Sequence, residues 1–216
     1  IPKIAESIGA DVEKIEVGSG EVIDPEVLRK RLAEDTNKEI KIVTMTHSET
    51  STGAVNDIKT LCSIVKEHGA LTDTLIFTSV CAMPVKPDEW GIDVLVSGSQ
   101  KGFMIPPGLS FLVANENAWK VYEECKHPSF YFNWGAYRKS VRANSTPFTP
   151  AVNLFTALNV ALKMIKAVIN TFISYSYLSY YLLRFSIKVL TPLPSSNLCP
   201  SLYNVASKAP TAEIKS

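Results

Sequence analysis

Along residues 1 to 166 the apolar positions switch repeatedly between two spacings. VEKIEV (12–17) alternates apolar and charged residues, the pattern of a half-buried strand. Asp24 followed by Pro25 supplies an N-cap and a proline at the first helical position, so a helix is expected from there to about Ala33. EIKIVTM (39–45) is an apolar, β-branched run with the character of a buried strand. Ile58, Leu61, Cys62 and Val65 follow the spacing of a helix, which His68-Gly69 can close because glycine tolerates a left-handed cap. A further apolar run, ALTDTLIFTSV (70–80), precedes the turn-rich PVKPDEWG, and IDVLVS (92–97) predicts another strand. Such alternation argues for an α/β fold with a largely parallel sheet, whose ligands sit beyond the carboxyl ends of the strands. HSETSTG (47–53) and SGSQK (97–101) each follow such an end, so both polar clusters can face one crevice.

The pattern stops near Lys166. From Ala167 to Leu183 there is no charged residue, and NTFISYSYLSYYLL is dense in serine and tyrosine. A membrane span needs about 20 apolar residues, and the polar content here makes this run a poor one. The last stretch, TPLPSSNLCPSLYNVASKAPTAEIKS, has proline and serine without periodicity and reads as a loose tail. The expected division is therefore 1–166 as a partial α/β domain and 167–216 as an atypical segment. The abrupt change suggests an altered reading frame or retained intervening sequence in the gene. The start, IPKIAESIGADVEK, has neither an initiator methionine nor the regions of a signal peptide, which suggests a fragment.

Composition narrows the partners. The 216 residues suffice for one large domain, and 46% hydrophobic with 20% charged residues describes a globular chain. With 22 basic and 21 acidic residues and no basic run, nucleic acid and membrane surfaces are poor partners. Cys62, Cys81, Cys125 and Cys199 lie far apart with no histidine at ligand spacing, so free thiols in a reducing cytoplasm are expected, and no metal site.

The chemistry concentrates in VSGSQKGFMIPPG (96–108), which ends an apolar strand in a lysine and follows it with a proline-stiffened loop. A lysine so placed is either a solvated strand-end residue or one held to form an imine with a carbonyl cofactor. HSETSTG, DEWGIDVLVSGSQK (88–101) and IPPGLSFLVANENAW (105–119), in this order, resemble the class V, fold-type I, pyridoxal-phosphate-dependent aminotransferases. The likeness is to the alanine–glyoxylate and serine–pyruvate branch, from about Lys3 to Lys166.

The resemblance implies a three-layer large domain, a mostly parallel sheet with flanking helices, here incomplete. It also implies pyridoxal 5'-phosphate as cofactor, with an amino group moving from alanine or serine to glyoxylate or pyruvate. Lys101 would hold the cofactor covalently and carry the substrate's α-proton. Ser99 and Gln100 would present polar groups to the phosphate, and the Thr50 hydroxyl would approach the ring. Thr149, in STPFTPAVNL, would contact the phosphate of a partner subunit, implying a homodimer. Read alone, Ser99 and Gln100 are equally loop caps, and Thr50 a turn residue bonding its own backbone. His47 is expected to be structural, His68 and His127 structural or solvated, and Trp90 and Trp119 to be packing residues. A cysteine desulfurase shares the fold and lysine, but no cysteine stands in a recognisable mobile loop.

Three departures stand beside the matches. The family carries an aspartate for the cofactor's ring nitrogen upstream of the lysine, and ungapped spacing puts Leu75 there. Asp73, two residues earlier, would reach that place only by a two-residue slip, about 6.6 Å, which keeps the same strand face inward. The glycine-rich phosphate turn and the small domain with a carboxylate-binding arginine also have no counterpart, and Arg184 lies in the aberrant run. These departures support an alternative: a non-catalytic remnant acting through dimer-type association.

Overall fold

The computed structural model describes residues 2–126 and 128–173. Four strands form one sheet in the order β1-β2-β3-β4: β1 Ile42–Thr46, β2 Leu71–Leu75, β3 Val94–Gly98 and β4 Ser110–Ala114. β1, β2 and β3 run parallel, and β4 returns antiparallel to β3. The mostly parallel α/β sheet expected from the alternation is therefore present.

The predicted helices form where their caps dictate. In α2 (Pro25–Glu34) the Asp24 carboxylate accepts from the Glu26 amide at 2.9 Å. α3 (Ile58–His68) starts on Asp57, which accepts from the Thr60 amide, and ends on Gly69 at φ 95°. α1 (Pro2–Ser7), the single turn α4 (Pro87–Trp90), α5 (Glu116–Glu124), α6 (Trp134–Arg142) and α7 (Val152–Ile173) complete the described elements.

Strand alternation sorts the side chains into two layers. Met45, Leu95 and Phe111 point to one face, where Leu28 and Leu32 of α2, five buried residues of α3 and Leu158 of α7 join them in the main core. Val94 and Ala114, paired across β3 and β4, point to the other face and pack under Trp119 of α5 and Trp134 of α6. Arg138 lies over the Trp119 ring at 4.1 Å, so Trp119 is a packing residue as expected. Helices thus flank the sheet on both sides, in three layers.

Two readings are corrected. VEKIEV is not a strand: it runs beside α2 without a ladder, Ile15 packing on the core and Glu13 accepting from Arg31 at 2.6 and 2.7 Å. The alternation reports one side turned inward, and no sheet edge pairs with it. The strand expected from Glu39 begins at Ile42, because the Asp35 carboxylate captures the amides of Glu39 and Ile40. α7 continues through Lys166 to Ile173. His127, Arg184, Cys199 and the serine- and tyrosine-rich run beyond Ile173 lie outside the described residues. Among the described residues no helix is long and apolar enough to cross a membrane.

Candidate active site

Three loops meet at the carboxyl ends of the parallel strands. The loop after β1 folds back on itself, with a bridge between Ser48 and Val55 and the Gly53 amide donating to the Glu49 carbonyl at 2.8 Å. Thr78, after β2, donates its hydroxyl to the Ser48 carbonyl at 2.8 Å and so ties the second loop to the first. The third loop, between β3 and β4, carries Lys101. Gly102 presses against the second loop so closely that a Cβ there would lie 1.8 Å from the Val80 carbonyl oxygen. Only glycine fits that approach. Phe103 is wholly buried next door, its ring 4.5 Å from that of Phe111.

Lys101 is half-buried, and its amine makes no hydrogen bond or ion pair among the described residues. The charged group that influences it sits on the first loop. Glu49 is held below the usual carboxylate range by the Ser51 amide and hydroxyl, with a smaller contribution from the charge of Lys101. The HSETSTG and SGSQK clusters therefore lie at the same end of the sheet, near enough for Glu49 to feel the Lys101 charge. Glu49 was not anticipated as a site residue; its place directly before Thr50 was the available signal.

The other expected residues separate. Thr50 is exposed, and its hydroxyl bonds nothing among the described residues, so it is not a self-capping turn residue. Gln100 is exposed, its Oε1 lying over the Cα of Gly98, where a Cβ would meet it at 2.8 Å. Ser99 differs from the open polar group expected for a phosphate contact. It is fully buried, its hydroxyl donating to the Pro106 carbonyl at 2.7 Å and accepting from the Leu109 amide at 3.2 Å. Its side chain caps the loop. Thr149 is exposed just ahead of α7, and the first turn of α7 touches the lysine loop through Leu154, 2.6 Å from where a Cβ on Gly108 would stand. Phe148 beside it is held in an aromatic cluster with Tyr131 at 4.6 Å and Phe130 at 5.7 Å. His47 is buried edge-on against Trp90 at 5.4 Å, and burial lowers its pKa. It belongs to the packing, as does the buried His68.

The strand register places both Leu75 and Asp73. Leu75 ends β2, paired with Thr46 and Val96, while Asp73 pairs with Thr44 and Val94 one two-residue step back. Leucine therefore occupies the strand end nearest the crevice. Asp73 stays within the sheet, where burial pushes its carboxyl up to about 6 against the lowering effect of the Thr44 hydroxyl, which donates at 3.2 Å. Cys81, on the second loop, has its Cβ 3.6 Å from the Gly102 Cβ position, and burial pushes its thiol up to about 12.

The sequence profile of the class V aminotransferases matches residues 1–175. A protein named soluble hydrogenase 42 kDa subunit, from Anabaena cylindrica, is 48% identical over 165 residues, covering 76% of this chain and 43% of that one. A serine–glyoxylate aminotransferase of Arabidopsis thaliana is 33% identical over 158 residues, covering 72% of this chain and 39% of its own. Among solved structures, alanine–glyoxylate aminotransferase from Nostoc sp. superposes with a TM-score of 0.67 at 30% identity, over 87% of this chain and 48% of that one. The chain thus spans less than half the length of these relatives. By the reach of these matches, and by the lysine loop set at the end of a parallel strand, the chain belongs to the class V aminotransferases, the pyridoxal-phosphate-dependent family of alanine–glyoxylate aminotransferase.

Proposed function

We propose that this protein is a pyridoxal-phosphate-dependent aminotransferase that moves an amino group from alanine or serine to glyoxylate or pyruvate. The observation that carries the reading is the Lys101 amine: half-buried, without a hydrogen-bonding partner among the described residues, and mounted on a loop fixed at Gly102 and Phe103. An amine so placed is free to attack a carbonyl carbon. The relatives named for serine–glyoxylate and L-aspartate–glyoxylate transfer support small amino acids and glyoxylate as the substrate class.

The residues fit the carbonyl end of pyridoxal phosphate. Lys101 is its covalent attachment point, and the free Thr50 hydroxyl and exposed Gln100 amide hold it. Thr149 reaches the site of a second subunit in a homodimer, and the enzyme works in the cytoplasm, where its cysteines stay reduced. When bound, the cofactor delocalises the negative charge left on the substrate's α-carbon as the proton departs. Lys101 would take that proton on Nζ and hand it back within the site. The Glu49 carboxylate is close enough to feel the charge of Lys101 and faces it from the first loop. At the ring-nitrogen position Leu75 can neither donate nor accept, and no step is assigned there.

Leu75 also favours a second reading, a non-catalytic chain that associates through a dimer-type surface. Cysteine desulfurization is disfavoured by Cys81, the cysteine beside Gly102, whose buried thiol is held protonated and hence weakly nucleophilic. The two main readings part in one assay, with alanine, glyoxylate and pyridoxal phosphate supplied to the purified chain. Glycine formed by the wild type and not by Lys101→Ala is the outcome expected of the aminotransferase. Absence of glycine from a folded wild-type chain selects the second reading.

A further inference from the structure

We infer that Ser99 is the positioning residue of the lysine loop, an inference that rests on the reading of Lys101 as the reactive amine. All four polar functions of Ser99 are committed to the far side of that loop. Its amide donates to the Leu109 carbonyl at 3.1 Å and its carbonyl accepts from the Ile105 amide at 3.3 Å. Its hydroxyl donates to the Pro106 carbonyl at 2.7 Å and accepts from the Leu109 amide at 3.2 Å. A serine hydroxyl has one proton, and here Pro106 takes it, so Ser99 has no hydrogen left to donate to a ligand. The residue closes the loop at its base. Residues 100 to 104, with Lys101 among them, form the closed part.

A second clamp lies on the other side of Lys101, where Gly102 rests on the Val80 carbonyl and Phe103 is buried. With the backbone fixed before and after the lysine, the amine explores only its own side-chain torsions. That restriction is the positional control on which reactivity depends, since a misplacement of about 1 Å can cost on the order of 100-fold in rate. Pro106 and Pro107 make the far side of the clamp stiff, because each fixes its own φ.

β3 supplies its own control. Ser97, two residues earlier, is 1% exposed, and its hydroxyl has no hydrogen-bond partner. Two buried serines, Ser97 inside β3 and Ser99 just past its end, thus differ in whether the hydroxyl grips the loop. Removing each by alanine separates the grip from the general effect of altering a buried serine.

The test is competitive labelling of the full chain with trace acetic anhydride, reading Lys101 against the exposed Lys120. In Ser99→Ala the Lys101 ratio is expected to rise about 3- to 10-fold as the loop opens. The half-buried Lys66 is expected to stay unchanged, as is Lys101 itself in Ser97→Ala. Borohydride trapping of pyridoxal phosphate on Lys101 is expected to fall about 10-fold or more in Ser99→Ala alone. An unchanged Lys101 ratio in Ser99→Ala overturns the inference, and so does an equal change in Ser97→Ala. Failure of the wild type to trap the cofactor counts against the aminotransferase reading only, because the acetylation ratio still decides the role of Ser99. Should Ser99→Ala not fold, hydrogen exchange on the wild type decides instead. The Ile105 and Leu109 amides are expected to exchange as slowly as the ladder amides of β4; exchange at open-loop rates contradicts the clamp.

Discussion

The two ends of β3 are built on opposite principles. At the amino end, Asp93 is 1% exposed and its carboxylate is saturated: it accepts from the Thr72 amide and hydroxyl, from Asn115 and Asn117, and from the Lys66 ammonium. At the carboxyl end, the Lys101 amine has no hydrogen-bonding partner among the described residues, and the buried hydroxyls of Ser97 and Ser79 have none either. Met104 and Cys81, on the loops around it, stand at φ 60° and 66°, backbone that side-chain-bearing residues rarely adopt. One end spends its polar groups on holding the sheet together. The other leaves the Lys101 amine and two hydroxyls open beside the committed Ser99 and accepts backbone strain, the signature of a site whose function overrides local stability.

The largest test of this contrast is Gly102→Ala. Its Cβ would enter the Val80 carbonyl oxygen, so the second and third loops must part, at about 3–5 kcal/mol of stability by urea denaturation. Loss of cofactor trapping at Lys101 should accompany it. A near-neutral Gly102→Ala would mean the loops are not locked together.

At the saturated end, Asp93→Ala strands the buried Thr72 amide and leaves Lys66 unpaired, and about 3 kcal/mol should be lost. Burial raises the Asp93 carboxyl, but Lys66, the Thr72 amide and Asn115 outweigh it and leave the net value lowered. A depressed carboxylate stabilises the fold above its unfolded value, about 4, and that stability is lost as pH falls through the folded value. Wild-type stability should therefore decline on the acid side below about pH 4, and less steeply in Asp93→Ala. Trapping at Lys101 by whatever fraction remains folded should persist, which separates the two ends.

Asp73 has the opposite sign. Its carboxyl is pushed up to about 6, so ionisation is penalised in the fold: the penalty is complete above that value, shrinks as pH falls through it, and vanishes below about 4. Asp73→Asn is expected to gain about 1–2 kcal/mol at pH 8, with the gain fading towards pH 5 in denaturant titrations. A pH-independent difference would place the carboxyl in water. The smallest effect is at Met104, 63% exposed and in the left-handed region. Met104→Gly should gain up to about 1 kcal/mol by relieving that conformation, and a loss would show that the side chain contributes packing.

The parts of this molecule legible in the sequence are those set by local rules. Asp24-Pro25 and His68-Gly69 mark helix ends because capping is a matter of neighbours in the chain, and β1 to β3 are visible as apolar runs. VEKIEV shows the limit: alternation reports which side is buried, while strand formation needs a partner edge that the sequence does not name. The cluster SGSQK marked the lysine, yet the roles within it depended on loop closure. Whether Ser99 turns outward or onto Pro106 depends on residues seven and ten positions further on, and nothing in the residue type distinguishes the two. Leu75 was visible as a departure, and the register adds that Asp73 sits one two-residue step deeper in β2.

The most direct measurement is to mix the purified chain with pyridoxal phosphate, reduce with borohydride, and locate the modified peptide by mass spectrometry. The account predicts one dominant adduct on Lys101, absent in Lys101→Ala. Adducts spread over exposed lysines, or none, would contradict it and leave a folded relative of the class V aminotransferases without a working site.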